Sequence, residues 1–208
     1  VTTAIIDHGA NQLQDFDKSF RYSNLIKAID EAEVSVKSNQ TSISIKRFLY
    51  PALGASEAYT LKFSNEIYHP SNTFWGAVSS GEFSYRDTAN TLWTGCKIQD
   101  ANGVAQVYRT SGQDRIIVDS DVGTVTYTTG KMSLVGFYPI AIGSVSTGNT
   151  TPLEVSVVPS SSDVLPLREQ IILIEEDDIT ITMVDDAGTG TYVLGSSTSL
   201  DGSTLITG

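Results

Sequence analysis

The apolar residues near the start of the chain follow a helical period. This spacing predicts one helix over Tyr22–Val36, and either Ser23 or Asn24 is suited to cap its first turn. The stretch before it, up to about Phe20, has no clear period and is expected to be an irregular arm. The apolar face of the predicted helix consists of Leu25, Ile26, Ile29 and Ala32.

From Thr41 onward the period changes to two, beginning with the alternating segment Thr41–Tyr50. The later candidates are short, rich in Val, Ile, Thr, Tyr and Phe, and separated by turn residues, which is typical of strands. Hairpin turns are predicted at Asp100–Gly103 and Thr129–Gly130. The fold class predicted is mainly β, α+β at the margin: a β-sandwich-like domain of about ten short strands with one N-terminal helix. The further strands predicted are Ala58–Phe63, Gly81–Tyr85, Gly95–Gln99, Ala105–Arg109, Arg115–Val118, Gly123–Thr128, Lys131–Val135, Leu153–Val158, Ile171–Ile174 and Ile179–Val184.

These patterns divide the chain into three parts. Residues 1–40 are predicted to be the arm and helix, and residues 41–184 the β-rich main domain. Residues 185–208 are rich in Gly, Ser and Thr and are expected to form either an extended arm or an edge hairpin. No apolar run approaches the roughly 20 residues that a membrane span needs. The chain begins without Met and is expected to be either a fragment or a processed product.

Charge is distributed unevenly along the chain, whose formal net charge is −11. Residues 1–131 hold 12 of the 13 Lys and Arg residues against 14 acids, whereas residues 132–208 hold only Arg168 against 10 acids. A general nucleic-acid binder is disfavoured, because phosphate neutralisation needs clustered basic residues. The acidic end is expected either to be solvated or to meet a basic partner.

No catalytic constellation is evident. The two histidines, His8 and His69, lie far apart in sequence without Cys or carboxylates at ligand spacing, so each is interpreted as a surface or loop residue. The single cysteine, Cys96, excludes an internal disulfide and is predicted to be a buried residue of a strand. No catalytic residue, metal site or cofactor is therefore expected.

Two acidic motifs are candidates for a cation site. Asp119-Ser120-Asp121 resembles the start of a calcium loop, but the later ligands of that pattern do not follow, so a polar hairpin turn is predicted. Glu175–Asp178 places four carboxylates in a row. One interpretation is that these carboxylates coordinate a cation. The favoured interpretation is a solvated turn between two strands, whose charges prevent pairing at the sheet edge.

Several aromatic residues allow a different functional interpretation. Phe74, Trp75, Trp93 and Tyr108 are suited to a stacking platform for a sugar ring, as in a carbohydrate-binding β-sandwich module of a tail fibre or a secreted protein. Trp and Tyr beside strands are more often core or interface residues. The core or interface interpretation is therefore preferred.

Three segments together resemble a known family. They are Phe20–Tyr50, Ala58–Val78 and Val155–Ile174, with the sequences FRYSNLIKAIDEAEVSVKSNQTSISIKRFLY, AYTLKFSNEIYHPSNTFWGAV and VSVVPSSSDVLPLREQIILI. In this order they resemble the C-terminal portion of the baseplate wedge subunit of T-even-like contractile-tailed bacteriophages, including those of cyanobacteria. The resemblance covers most of residues 16–184 and contains no catalytic signature.

The resemblance implies a structural role in the virion. It implies a late protein, not an enzyme, that is assembled in the host cytoplasm and located in the tail baseplate. Two copies of the wedge subunit are expected to associate with each other and with other wedge proteins, and six wedges to close into a ring that changes shape when the sheath contracts. No cofactor, nucleic acid, membrane or small-molecule partner is expected.

The residues expected at interfaces follow from this role. The helix face is predicted to dock on a sister subunit, with packing on its own sheet as the alternative. Arg168 is expected to form either an intersubunit contact or a local ion pair with Asp163 or Glu169. The interface residues predicted are Tyr22, Leu25, Ile26, Ile29, Phe74, Trp75 and Arg168.

Overall fold

A computed structural model describes residues 1–143, 145–146, 151–166 and 170–184. Two helices, α1 (Thr2–Gln12) and α2 (Tyr22–Glu31), precede an antiparallel sheet, and two short 3₁₀ turns lie at Tyr127–Thr129 and Glu176–Asp178. The strands are β1 (Ile45–Leu49), β2 (Glu57–Lys62), β3 (Trp75–Ser80), β4 (Phe83–Arg86), β5 (Leu92–Ala101), β6 (Val104–Ser111), β7 (Asp114–Thr126), β8 (Lys131–Phe137), β9 (Pro139–Ile142), β10 (Val145–Ser146) and β11 (Leu153–Val157).

The helical region differs from the predicted arm and helix in two respects. The arm contains α1, whose buried residues are Ile5, His8 and Gly9, continued by the buried Leu13 at the C-cap. A polar residue, His8, and a glycine interrupt the apolar pattern of these residues, which conceals its helical period. α2 ends at Glu31 rather than Val36, since Val34 is 94 % exposed and has no apolar surface to pack against.

The strands form one continuous sheet in the order β1-β11-β3-β5-β6-β7-β8-β2, from which β4, β9 and β10 branch. Beyond β2 and β11 the chain forms a bridge between Ile67 and Pro159. The amide of Tyr68 also donates to the carbonyl of Val158 at 2.9 Å. The two ends of the sheet therefore approach each other, and the fold is nearly barrel-shaped around one core.

The mainly β fold with an N-terminal helix is confirmed, as are both hairpin turns. Asn102 and Gly103 adopt φ of +49° and +85° between paired Ala101 and Val104, the geometry that Asn-Gly favours. Gly130 closes the turn between β7 and β8, where a Cβ atom would lie 2.1 Å from the carbonyl oxygen of Asn65. Both turns follow from local sequence.

Other strand predictions were wrong. The two segments predicted around Asp119–Asp121 belong to one strand, β7, and the motif lies in an irregularity of its pairing with β6 rather than in a hairpin turn. Residues 171–174 and 179–184 form no strand, since they find no paired backbone among the described residues. β3, β9 and β10 had not been predicted.

Two clusters of buried side chains fill the molecule. The larger one, the sheet core, gathers residues from the sheet strands, with Phe63, Phe83 and Phe137 among its largest members. The smaller one, the helical cluster, consists of Ile5, Leu13, Phe20, Leu25, Ile29 and Val164. Neither helix of the described part has the length and hydropathy that a membrane span requires.

Candidate functional site

The residues weighed for catalysis lie in separate places. His8 is buried in α1, where burial lowers its pKa. His69 stacks on Tyr127 with ring centroids 3.9 Å apart. Cys96 is fully buried in β5, as predicted, and burial raises the pKa of its thiol to about 11. Since a nucleophilic cysteine needs a lowered pKa and access to substrate, Cys96 is a packing residue.

The acidic run contacts a lysine instead of forming a metal site. Within residues 1–143, 145–146, 151–166 and 170–184, no group of three or more His, Cys, Asp or Glu side chains is arranged to hold a metal ion. The ammonium of Lys46 on β1 lies 2.6 Å from Asp178, 3.7 Å from Glu154 and 3.9 Å from Glu175. We call these four residues the Lys46 clasp.

Two residues of the Lys46 clasp, Glu175 and Asp178, belong to the segment 170–184, which we call the C-terminal strap. Its side chains Ile172, Ile174 and Ile179 pack against the helical cluster. A Cβ atom at Gly9 would lie 3.2 Å from that of Ile174, so the absence of a side chain in α1 permits this close approach. The predicted solvated turn at Glu175–Asp178 is a 3₁₀ turn of exposed residues, although no strand flanks it.

The first turn of α2 is capped from a distant part of the chain. Neither Ser23 nor Asn24 caps it, contrary to the prediction, and Arg21 is the N-cap residue. The carboxylate of Asp163 accepts from the Tyr22 amide at 2.9 Å and from Arg21 at 2.7 Å. The hydrogen bonds from Arg21 and from the Tyr22 amide lower the pKa of Asp163. Arg168, the partner predicted for Asp163, lies outside the described residues.

The predicted interface face of α2 divides into a buried and a partly exposed half. Leu25 and Ile29 are 4 % and 6 % exposed because they belong to the chain's own helical cluster. Tyr22 and Ile26 are partly exposed, and the Tyr22 hydroxyl donates to the carbonyl of Thr41 at 2.8 Å. Docking of this face on a partner stays a prediction, with Tyr22 and Ile26 as the residues that retain accessible surface.

The aromatic residues weighed as a sugar platform do not share one surface. Phe74 and Trp93 pack against the sheet core, and the indole nitrogen of Trp93 donates to Asp87 at 2.8 Å. Trp75 is 55 % exposed and, like Tyr108, contacts Arg115. The carbohydrate-binding alternative therefore lacks the four-residue platform on which it was based.

Arg115 of β7 connects the two remaining aromatic residues. Its guanidinium carbon lies 3.9 Å from the ring centroid of Trp75 and 4.4 Å from that of Tyr108. Arg115 also donates to the side chain of Gln99, which in turn donates to Gln106 at 3.0 Å. Each cation–π contact contributes about 0.5–1 kcal/mol at an exposed site. Arg115 is thereby held in one orientation on the outer side of the sheet, in what we call the Arg115 surface (Trp75, Tyr108, Arg115 and Ile117).

A buried carboxylate positions this surface, and sequence reasoning missed it. Asp100 is fully buried and accepts from the amides of Gly76 and Val78 at 3.1 and 2.8 Å. It also accepts from the Tyr127 hydroxyl at 2.9 Å. The register between β3 and β5 shifts here, so Asp100 satisfies backbone donors beside Trp75 that the ladder leaves unpaired. The sequence pattern indicated only a turn at this position.

These features define a class of protein, a β-rich structural domain. The accessible side chains described above form packing surfaces and ion pairs. The comparison with known families makes this more specific. Residues 1–47 match the profile of the family described as baseplate structural protein gp6, C-terminal domain III. In these residues the match confirms the resemblance to a baseplate wedge subunit of T4-like phages. No curated protein matches the chain.

The matched residues contain both helices and most of the helical cluster. They comprise α1, α2 and most of β1, including Lys46 of the Lys46 clasp. The match supports, over these residues, a structural component of a virion baseplate.

Proposed function

We propose that the chain is an assembly module of a phage baseplate wedge, which self-associates and contacts other wedge proteins during tail assembly and contraction. It is assembled in the host cytoplasm and incorporated into the tail. The observation that carries the proposal is that the family match covers five of the six buried residues of the helical cluster.

The helical cluster leaves apolar surface uncovered. Phe16, Val34 and Leu173, which lie close in sequence to members of the cluster or to residues packed against it, are 65, 94 and 62 % exposed, and Ile26 is partly exposed on α2. Burial of such large apolar side chains favours a protein–protein contact. The cluster is therefore the side of the molecule expected to meet a partner.

The nearly closed sheet supplies the rigid part of the module. The Ile67–Pro159 bridge joins the chain beyond β2 to the chain beyond β11, and the core contains aromatic pairs such as Phe83 and Phe137, whose centroids lie 5.2 Å apart. A nearly closed and densely packed sheet offers few free edges and deforms little. Such a body transmits a displacement from one neighbour to the next without changing shape.

Sedimentation velocity over a concentration series tests the proposal. The weight-average mass is expected to rise with concentration in the unaltered chain. Ile26→Glu is expected to shift this rise to higher concentration, because a charge on the accessible half of α2 opposes burial at an interface.

Val135→Glu is the matched control, since Val135 is 69 % exposed on β8 and the change adds the same charge. It is expected to associate like the unaltered chain. A chain that stays monomeric at the highest concentration, or an equal effect of both variants, contradicts the proposal.

A further inference from the structure

The Arg115 surface presents a positive charge that has no acidic partner among the described residues. Arg115 is exposed, and in the described part of the chain no carboxylate forms an ion pair with it. The aromatic rings and Gln99 hold the guanidinium in place. Arg115 therefore loses less side-chain conformational entropy when it binds a partner. The neighbouring Ile117 is 44 % exposed.

The composition of this surface is typical of an interface centre. Trp, Tyr and Arg are the residue types that contribute most to binding at protein interfaces. The fork of donors in a guanidinium fits a carboxylate with two parallel hydrogen bonds. The expected ligand is therefore a carboxylate on an exposed segment of a protein.

The chain itself carries such a segment in the C-terminal strap. Within the 3₁₀ turn, Glu176 and Asp177 are exposed. Their neighbours Glu175 and Asp178 are bound by Lys46, whereas Glu176 and Asp177 form no ion pair with any described residue. The turn thus offers two carboxylates on an anchored backbone.

We propose that the Arg115 surface of one copy binds Glu176 and Asp177 of a second copy, an inference that rests on the self-association proposed above. Charge complementarity favours a second copy as the partner. Arg115 lies in residues 1–131, whose charges nearly balance, whereas Glu176 and Asp177 lie in residues 132–208, which have a strong acidic excess. Because the two surfaces differ, two arrangements satisfy the contact. It is either head-to-tail, with one contact between successive subunits of a ring, or isologous, occurring twice across the axis of a two-fold dimer.

Charge exchange in the full chain tests the inference. Arg115→Glu is expected to raise the dissociation constant of self-association about tenfold or more, as does loss of a close interfacial charge pair. The double variant Glu176→Arg/Asp177→Arg is expected to weaken association to a similar extent. Combining all three substitutions is expected to restore it, since the charges are then opposite again.

Two variants control for net charge. Lys62→Glu matches the first change, and Glu66→Arg/Asp121→Arg matches the second, because all three residues are exposed and form no ion pair with described residues. The controls are expected to associate like the unaltered chain. Circular dichroism verifies that each variant is folded.

The outcomes separate this inference from the proposed function. If the unaltered chain self-associates and Arg115→Glu associates equally well, the inference is overturned and the assembly role stands. If the combined variant stays as weak as the single ones, the pairing of these two surfaces is likewise overturned. A chain that is monomeric throughout overturns both proposals.

Discussion

The sheet and the helical cluster are stabilised in different ways. In the sheet, ladders of backbone hydrogen bonds join the strands around 21 buried residues of the core cluster. In the helical cluster, six buried residues are joined by side-chain packing, by the bridge between Phe20 and Val164, and by ion pairs such as that of Arg21 with Asp163. Local opening costs least where few buried contacts must be broken. The helical cluster is therefore the region that a partner is expected to stabilise.

The largest expected effect lies in the sheet core. Phe137 is fully buried and contacts the rings of Tyr59, Phe83 and Tyr85. Phe137→Ala is expected to lower the free energy of unfolding by about 3–5 kcal/mol, because it removes apolar burial and leaves a cavity. Denaturant unfolding followed by circular dichroism measures the loss. Val135→Ala, an exposed residue of the same strand, is expected to change it by no more than about 0.5 kcal/mol.

A core substitution in the helical cluster is expected to act locally. Ile29→Ala removes a side chain that is 6 % exposed and is expected to cost about 2–5 kcal/mol of the stability of that region. Hydrogen exchange is expected to accelerate in residues 1–31 and 170–184 and to stay unchanged in β5–β8. Lys27→Ala, at an exposed site of the same helix, is the control. Equal acceleration in the sheet would show that the two regions open together.

The Lys46 clasp is expected to contribute less. Its carboxylate side chains are 45–54 % exposed, so solvent screens the ion pairs and the whole contact is worth about 1 kcal/mol or less. Burial alone would lower the pKa of Lys46, but Asp178, Glu154 and Glu175 raise it above its ordinary value. Lys46→Met is expected to accelerate exchange in the C-terminal strap slightly, and added salt to reduce the difference from the unaltered chain. Lys62→Met should have no such effect; an equal change there would argue against the clasp.

The smallest expected effect depends on pH. Burial lowers the pKa of His8 below its ordinary value of 6.5, so the unfolded chain binds a proton more readily than the folded one. The stability contributed by the neutral ring is therefore present above about pH 6.5 and is lost as the pH falls from there toward the lowered folded value. His8→Phe is expected to flatten this part of the pH profile of the unfolding free energy. An unchanged slope in the variant would exclude His8 as its source.

Local signals were sufficient for part of the fold. The Asn102-Gly103 turn and the Gly130 turn require glycine or asparagine where φ is positive, so the hairpins were predictable from neighbouring residues. The segment 171–174 shows the opposite case. Its β-forming residues predicted a strand, but a strand also needs a partner backbone, and these side chains pack on helices instead.

The candidate surfaces depend on contacts that sequence does not reveal. Trp75 was predicted as an interface residue, yet its partner Arg115 lies 40 positions away on another strand. Asp100 became recognisable as a positioning residue only through the register shift between β3 and β5. The buried stripe of α1 was concealed because His8 and Gly9 occupy positions where apolar residues are expected.

The central claim is that the helical cluster is an assembly surface on a rigid sheet. Hydrogen exchange of the full chain at low and at high protein concentration tests it most directly. Raising the concentration is expected to slow exchange in residues 1–31 and 170–184 and to leave exchange in the sheet core unchanged. Exchange in the helical cluster that is independent of concentration, while sedimentation reports association, would contradict it.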